Sequence, residues 1–232
     1  MTMPENDKAQ PEYVKAKTAV WWDINSCPLP HGYDARRVRP SIESALKNLG
    51  YSGPVDITVI GYLEDTPQVV LRGLSSTGIY VKHGRANGIL FNLLISWQER
   101  NPPPASMMLI SDKVEDISLA LCHRQQRISG YNLLRVYNCI PEYVSILYNT
   151  GEWLWESLLA TDEINNEPET RIQSSFRRTF ILPEQHLFYC STCCFPTQSL
   201  EIFTTHLSGE EHEIEVSSLL VSSNTFFHCP TI

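Results

Sequence analysis

The sequence predicts an α/β chain: a doubly wound parallel sheet of about five strands, followed by a small ββα Cys/His module. Three observations predict it. From Thr18 to about Leu159, apolar runs of strand length alternate with stretches patterned at helical spacing. Carboxylates stand where the first and fourth strand-like runs end, the edge at which parallel sheets bind ligands. Near the other end of the chain, two cysteines and two histidines carry the spacing of a tetrahedral metal site.

The elements follow in order. TAVWWDI (18–24) is a β-rich run, and the turn after it is rich in Cys, Pro and Gly. RRVRPSIESALKNLG (36–50) places Val38, Ile42, Ala45, Leu46 and Leu49 on one helical face and stops at Gly50. VDITVIGYL (55–63) is the second strand, PQVVLRGLSS (67–76) a short helix and GIYVKH (78–83) the third strand. GILFNLLISWQER (88–100) is a buried-face helix terminated by NPPPA. SMMLISD (106–112) is the fourth strand, EDISLALCHRQQR (115–127) a helix and YNLLRVYN (131–138) the fifth strand. EYVSILYNTGEWLWESLL (142–159) supplies one or two closing helices. Residues 1–16 are a flexible N-terminal segment, 17–160 the α/β domain, 161–184 a linker without periodicity, 185–215 the Cys/His module and 216–232 a tail.

Charge divides the chain along the same line. Residues 1–160 hold 15 basic and 16 acidic side chains, whereas residues 161–232 hold 3 and 10. With a net charge of −8, a protein that coats nucleic acid by bulk positive charge is excluded. The nearly neutral first part can still carry a local basic groove. Arg36, Arg37 and Arg39, with Lys82, His83 and Arg85, fall on segments expected to flank the upper rim of the sheet; they would track an RNA backbone or form a solvated face. No run reaches the ~18 apolar residues of a membrane helix. The N-terminal stretch has no secretory core, so an intracellular protein is expected, with its seven cysteines as thiols or metal ligands. A nucleotide-binding enzyme is disfavoured, because no Gly-rich phosphate loop follows the first strand.

Asp23 ends the first strand, Asp112 the fourth, and Glu115 and Asp116 open the next helix. Such acids either converge on a hard cation such as Mg²⁺ or serve as helix caps and turn formers. WWDINSCPLP (21–30), GYLEDTPQVVLRGLSSTGIYVKHG (61–84), NPPPASMMLIS (101–111) and ISGYNLLRVY (128–137) decide what to look for. Together they resemble the NYN domain of the limkain type, PIN-like ribonuclease-fold proteins related to the meiosis regulator and mRNA stability factor, and are similar to its plant branch. The resemblance spans roughly residues 16–160. It implies a Rossmann-like sheet with an acidic Mg²⁺- or Mn²⁺-dependent site that cuts single-stranded RNA.

By that resemblance Asp23 is the first catalytic acid and Asn25 the asparagine after it. Asp116 matches the second acid of a Ser-Gly-Asp-Arg-Asp-Phe motif, and Asp112 approximates the first. At the acid that opens the central helix this chain has Asn87. Losing one unit charge at about 4 Å removes roughly 4 kcal/mol of attraction at an effective dielectric of 20. The expectation is a weakened ion site: a metal-dependent endoribonuclease with a degraded centre, acting in gene regulation, or an inactive RNA-binding or protein-binding scaffold. The resemblance also carries a peroxisomal association, although the sequence ends in Pro-Thr-Ile and not in a Ser-Lys-Leu type address.

Cys190-x₂-Cys193-x₁₂-His206-x₅-His212 is the strongest local motif, and its two thiolates and two imidazoles suit Zn²⁺. Phe188, Leu200 and Phe203 are its expected miniature core. HLSGEEH (206–212) is similar to U1-like fingers, whose basic flank touches RNA; Glu210, Glu211, Glu213 and Glu215 stand there instead and point to a protein partner.

Overall fold

Alternating buried side chains along each strand build the sheet with a core on both faces. In β1 (Thr18–Asp23), Val20 and Trp22 join one core while Ala19 and Trp21 join the other. The same alternation recurs in β2 (Val55–Gly61) and β4 (Ala105–Ile110). The computed structural model describes residues 6–113, 130–140, 147–160 and 186–221. The expected helix over 115–127 and the linker over 161–184 lie outside them, as does Asp116.

All five expected strands are present, with β3 at Tyr80–His83 and β5 at Tyr131–Tyr137. Three more extend the sheet to eight: β6 (Gly151–Leu154), β7 (Phe188–Cys190) and β8 (Phe195–Thr197), in the order β6-β5-β4-β1-β2-β3-β7-β8. Every neighbouring pair is parallel except the β7–β8 hairpin. The helices are α1 (Val38–Asn48), entered through a 3₁₀ turn at Ala35–Arg37, α2 (Gln68–Ser76) and α3 (Ala86–Arg100). Then come α4 (Trp155–Ala160), α5 (Leu200–Leu207) and α6 (Glu210–Val221).

Two expectations are corrected. Residues 142–159 do not form closing helices throughout, because Gly151–Leu154 is a strand paired with Leu134–Tyr137 of β5. The aromatic-rich run GEWLW meets an open parallel edge there, and backbone pairing outweighs its helical pattern. Trp155 then starts α4, buried against Trp22 at 5.0 Å, with its indole N–H donating to the Pro28 carbonyl at 2.9 Å.

The second correction concerns the Cys/His module, whose apolar residues do not form a miniature core of their own. Phe188, Leu200, Phe203 and Leu207 are buried in the same core as Val20, Trp22 and Leu71. Full burial of each is worth about 1.5–3 kcal/mol, so the hairpin is packed onto the sheet. Its two histidines also sit on two helices, His206 on α5 and His212 on α6, separated at Ser208–Gly209. The tail is helical as far as Val221.

Candidate functional site

The carboxyl ends of β1, β2 and β4 form one rim. Asp23 is the last residue of β1 and only 4% exposed. Beyond it the chain folds back, so that the backbone N–H groups of Asn25 and Ser26 donate to Asp23 Oδ1 at 3.1 and 3.4 Å. This is the Asx turn that a short acidic side chain builds at a strand exit. Just past the end of neighbouring β4, the Ser111 hydroxyl donates to Asp23 Oδ2 at 3.3 Å and lies 3.2 Å from the Ser26 hydroxyl. The Ser26 hydroxyl in turn accepts the N–H of Asp112 at 3.3 Å. Asp112 Oδ1 accepts the Asn138 N–H at 2.8 Å, so this carboxylate joins the ends of β4 and β5.

Asn25 is exposed, yet its amide is used at both ends: Oδ1 accepts the Tyr62 N–H at 2.7 Å and Nδ2 donates to the Tyr62 carbonyl at 3.1 Å. That clasp ties the exits of β1 and β2 together. It also explains Gly61, where a Cβ would collide with Asn25 Oδ1 and Ile24 Cγ2. Asn87 lies in the first turn of α3, four residues beyond the end of β3 on the same rim. Cys27 beneath the rim is fully buried, and burial, followed by the Asp112 charge, pushes its thiol up to about 12, which removes it as a nucleophile.

The second cluster lies at the β3 edge. Cys190, Cys193, His206 and His212 bring one ligand atom each within 4.8 Å of one another. His212 Nδ1 stands 3.2 Å from Cys193 Sγ and 3.7 Å from Cys190 Sγ. Sulfur and nitrogen ligands on one tetrahedral zinc ion are separated by roughly 3.5 Å, given bonds of about 2.3 and 2.0 Å. The imidazole of His206 stacks on Phe195 at 4.3 Å, and its Nε2 is buried without a hydrogen-bond partner. Protein atoms alone push the Cys193 thiol up to about 12, through burial first and nearby Cys190 second. A dication among these donors reverses that balance and stabilises the thiolates. The donor set fits a metal ion.

A family model, the NYN domain, matches residues 17–135, just over half of the chain. The chain belongs to the NYN family. No curated protein matches it. NYN domains are nuclease-like and related to RNA chemistry, and the parallel sheet with its acidic rim agrees with that class.

Within this NYN protein the expected basic residues scatter. Arg39 sits at the opposite edge from Asp23, because its guanidinium donates to the carbonyls of Val55 and Gly78, at the entries of β2 and β3, and pairs with Glu43 at 3.0 Å. The expectation that Arg39 flanks the upper rim is therefore corrected. Lys82 points to the α3 face of the sheet, its ammonium 4.7 Å from the centre of the Tyr189 ring, and burial, with Arg100 nearby, pushes it down to about 8. Arg36 is exposed and paired with Asp34 at 2.7 Å, Arg37 lies over the Tyr33 ring at 5.6 Å, and exposed Arg85 immediately precedes α3 without a side-chain cap bond.

Among the described residues, two groups of three or more Cys, His, Asp or Glu have ligand atoms close enough to share an ion, and neither contains Asp23 or Asp112. Those two carboxylates are already engaged by protein donors. The second group joins Glu64, which sequence reasoning missed, to His83 and His212, which it had assigned separately to the rim and to the Cys/His motif. Exposed Tyr62 on the same rim was missed as well. Tyr62 and Glu64 stand in the segment GYLED (61–65), whose family pattern was visible but whose neighbours were not.

Proposed function

We propose that this protein engages single-stranded RNA along the carboxyl rim of its NYN sheet, and that its metal-dependent endoribonuclease centre is reduced in charge. The carrying observation is Asn87 on the first turn of α3, on the rim where Asp23 and Asp112 already serve protein N–H and O–H donors. Asp23, Asp112 and Asp116 are the carboxylates that would hold Mg²⁺ or Mn²⁺, which supplies charge and an activated water when bound. Asn25, clasped to Tyr62, fixes the rim's shape, and the exposed Tyr62 ring offers a base a stacking face. Arg36, Arg37 and Arg85 would contact phosphates.

The limkain-type, plant-branch reading of the NYN domain includes a zinc finger at Cys190, Cys193, His206 and His212, working inside the cell where thiols stay reduced. Its acidic flank at Glu210, Glu211, Glu213 and Glu215 suits a protein partner better than RNA. An inactive scaffold is the second reading, favoured by the same Asn87.

Labelled single-stranded RNA incubated with Mn²⁺ or Mg²⁺ separates the two. Under the nuclease reading the chain cleaves slowly, Asp23→Asn abolishes cleavage, and Asn87→Asp raises it. RNA that is bound but left intact, even by Asn87→Asp, overturns the nuclease reading in favour of the scaffold. Cleavage that persists unchanged in Asp23→Asn comes from another enzyme.

A further inference from the structure

His212 uses only one of its ring nitrogens toward the sulfurs. Its Nδ1 faces Cys193 and Cys190, and its Nε2 is buried without a well-formed hydrogen bond, 3.7 Å from Glu64 Oε1. His83, the fully buried last residue of β3, aims its own Nε2 at the same oxygen from 3.4 Å. The two imidazole rings lie 4.9 Å apart at 73°. One carboxylate oxygen therefore faces two buried ring nitrogens from two different parts of the fold.

The tautomers are fixed by their other partners. His83 Nδ1 accepts the backbone N–H of Leu63 at 3.1 Å, so in the neutral ring the proton is on Nε2. A nitrogen that carries a proton does not ligate, which argues against Glu64, His83 and His212 as a second cation site. His212 bound to a metal through Nδ1 likewise carries its proton on Nε2, facing the carboxylate. Carboxylates that accept the far N–H of a metal-bound histidine orient the ring and raise its basicity.

We propose that Glu64 is a positioning residue of the Cys/His metal centre. Its carboxylate takes the Nε2–H of His212, sets the ring so that Nδ1 reaches the ion, and holds the Nε2–H of His83 at the same time. Glu64 belongs to the loop after β2 and His83 to β3, so the NYN domain itself supplies the outer shell of the metal site. The backbone supports the coupling: Ser191, in the turn between Cys190 and Cys193, donates its N–H to the His83 carbonyl at 2.9 Å and its hydroxyl at 2.6 Å. Gly84 leaves room for this approach, since a Cβ there would strike the Ser191 hydroxyl.

The proposal rests on the Cys/His cluster holding zinc, and the test keeps the two apart. Zinc stoichiometry and affinity are measured on the full chain by chelator competition, with Co²⁺ absorption as a second readout, for the parent chain, Glu64→Ala, Glu64→Gln and Cys190→Ser. The parent is expected to bind one ion and Cys190→Ser to lose it. Glu64→Ala should keep the stoichiometry and weaken affinity by about 10–100-fold, with a shifted Co²⁺–thiolate band. Glu64→Gln, which retains one acceptor, should lose less. Unchanged affinity and band in Glu64→Ala, with Cys190→Ser still deficient, overturns the role of Glu64 and leaves the zinc centre standing. Failure of the parent chain to bind, or binding undiminished in Cys190→Ser, overturns both. Two ions per chain, one of them lost in Glu64→Ala, overturns the proposal in favour of a separate Glu64 site.

Discussion

The strand-end rim and the β3-edge cluster both gather potential ligands, yet their spare bonding capacity differs. At the rim, Asp23 receives three protein hydrogen bonds and Asp112 one. At the edge, the Nε2 atoms of His83, His206 and His212 are all buried without a formed hydrogen bond. A buried polar atom without a partner costs about 1–3 kcal/mol. Glu64 Oε1 faces two of these, His83 Nε2 from 3.4 Å and His212 Nε2 from 3.7 Å, which leaves His206 Nε2 as the spare atom beside the two thiols, whereas the rim is largely complete in itself. The number of acids or histidines in a cluster says less about ion binding than what their lone pairs already do.

Four experiments break or sharpen that contrast. The largest effect is expected from chelation. Zinc present at a thousandfold excess over its Kd stabilises by about 4 kcal/mol, so stripping it should lower the melting temperature by roughly 8–16 °C for a domain of this size. An unchanged melting curve with and without chelator would place the two clusters on the same footing. Next is Asp23→Ala, which orphans the N–H groups of Asn25 and Ser26 and should cost about 2–3 kcal/mol in urea unfolding; a loss under 0.5 kcal/mol would mean that the rim does not depend on this carboxylate. Asn25→Ala removes both bonds to Tyr62 at a solvent-exposed position, for about 1 kcal/mol by the same measurement. The smallest is Arg36→Gln, which should leave stability within about 0.5 kcal/mol because its ion pair with Asp34 is exposed. If Arg36 meets a phosphate, the salt dependence of RNA binding should become shallower by about one contact; an unchanged slope removes it from the RNA path.

Much of the sheet was legible in the sequence because β1, β4 and β5 are buried on both faces and β2 over most of its length, so they show as nearly continuous apolar runs, while β3 alternates buried with half-buried residues. Gly151–Leu154 was not, since four residues carry too short a pattern to separate a strand from a helix start, and the deciding partner, β5, lies 14 or more residues earlier. The four Cys/His residues were legible from spacing alone. Their attachment to β3 was not, because the register of Val81 with Phe188 joins residues more than 100 apart. Glu64 looked like one more loop acid until the fold set it against His83 and His212. At the rim, Asp23 was found from its place at a strand end, while the engagement of Asp112 with Asn138 depends on a loop geometry that no local pattern encodes.

The pairing of β7 with β3 decides which backbone the described part of the sheet leaves at its margin. With the hairpin in place, one margin of the sheet ends in a three-residue strand whose middle residue, Pro196, has no N–H to offer, and the other ends in the four-residue β6. Neither margin is a long template for a foreign strand. Whatever frees the hairpin uncovers the backbone of Tyr80–His83 instead, flanked by apolar surface that Phe188 and Phe203 had covered, and turns a closed border into an adhesive one.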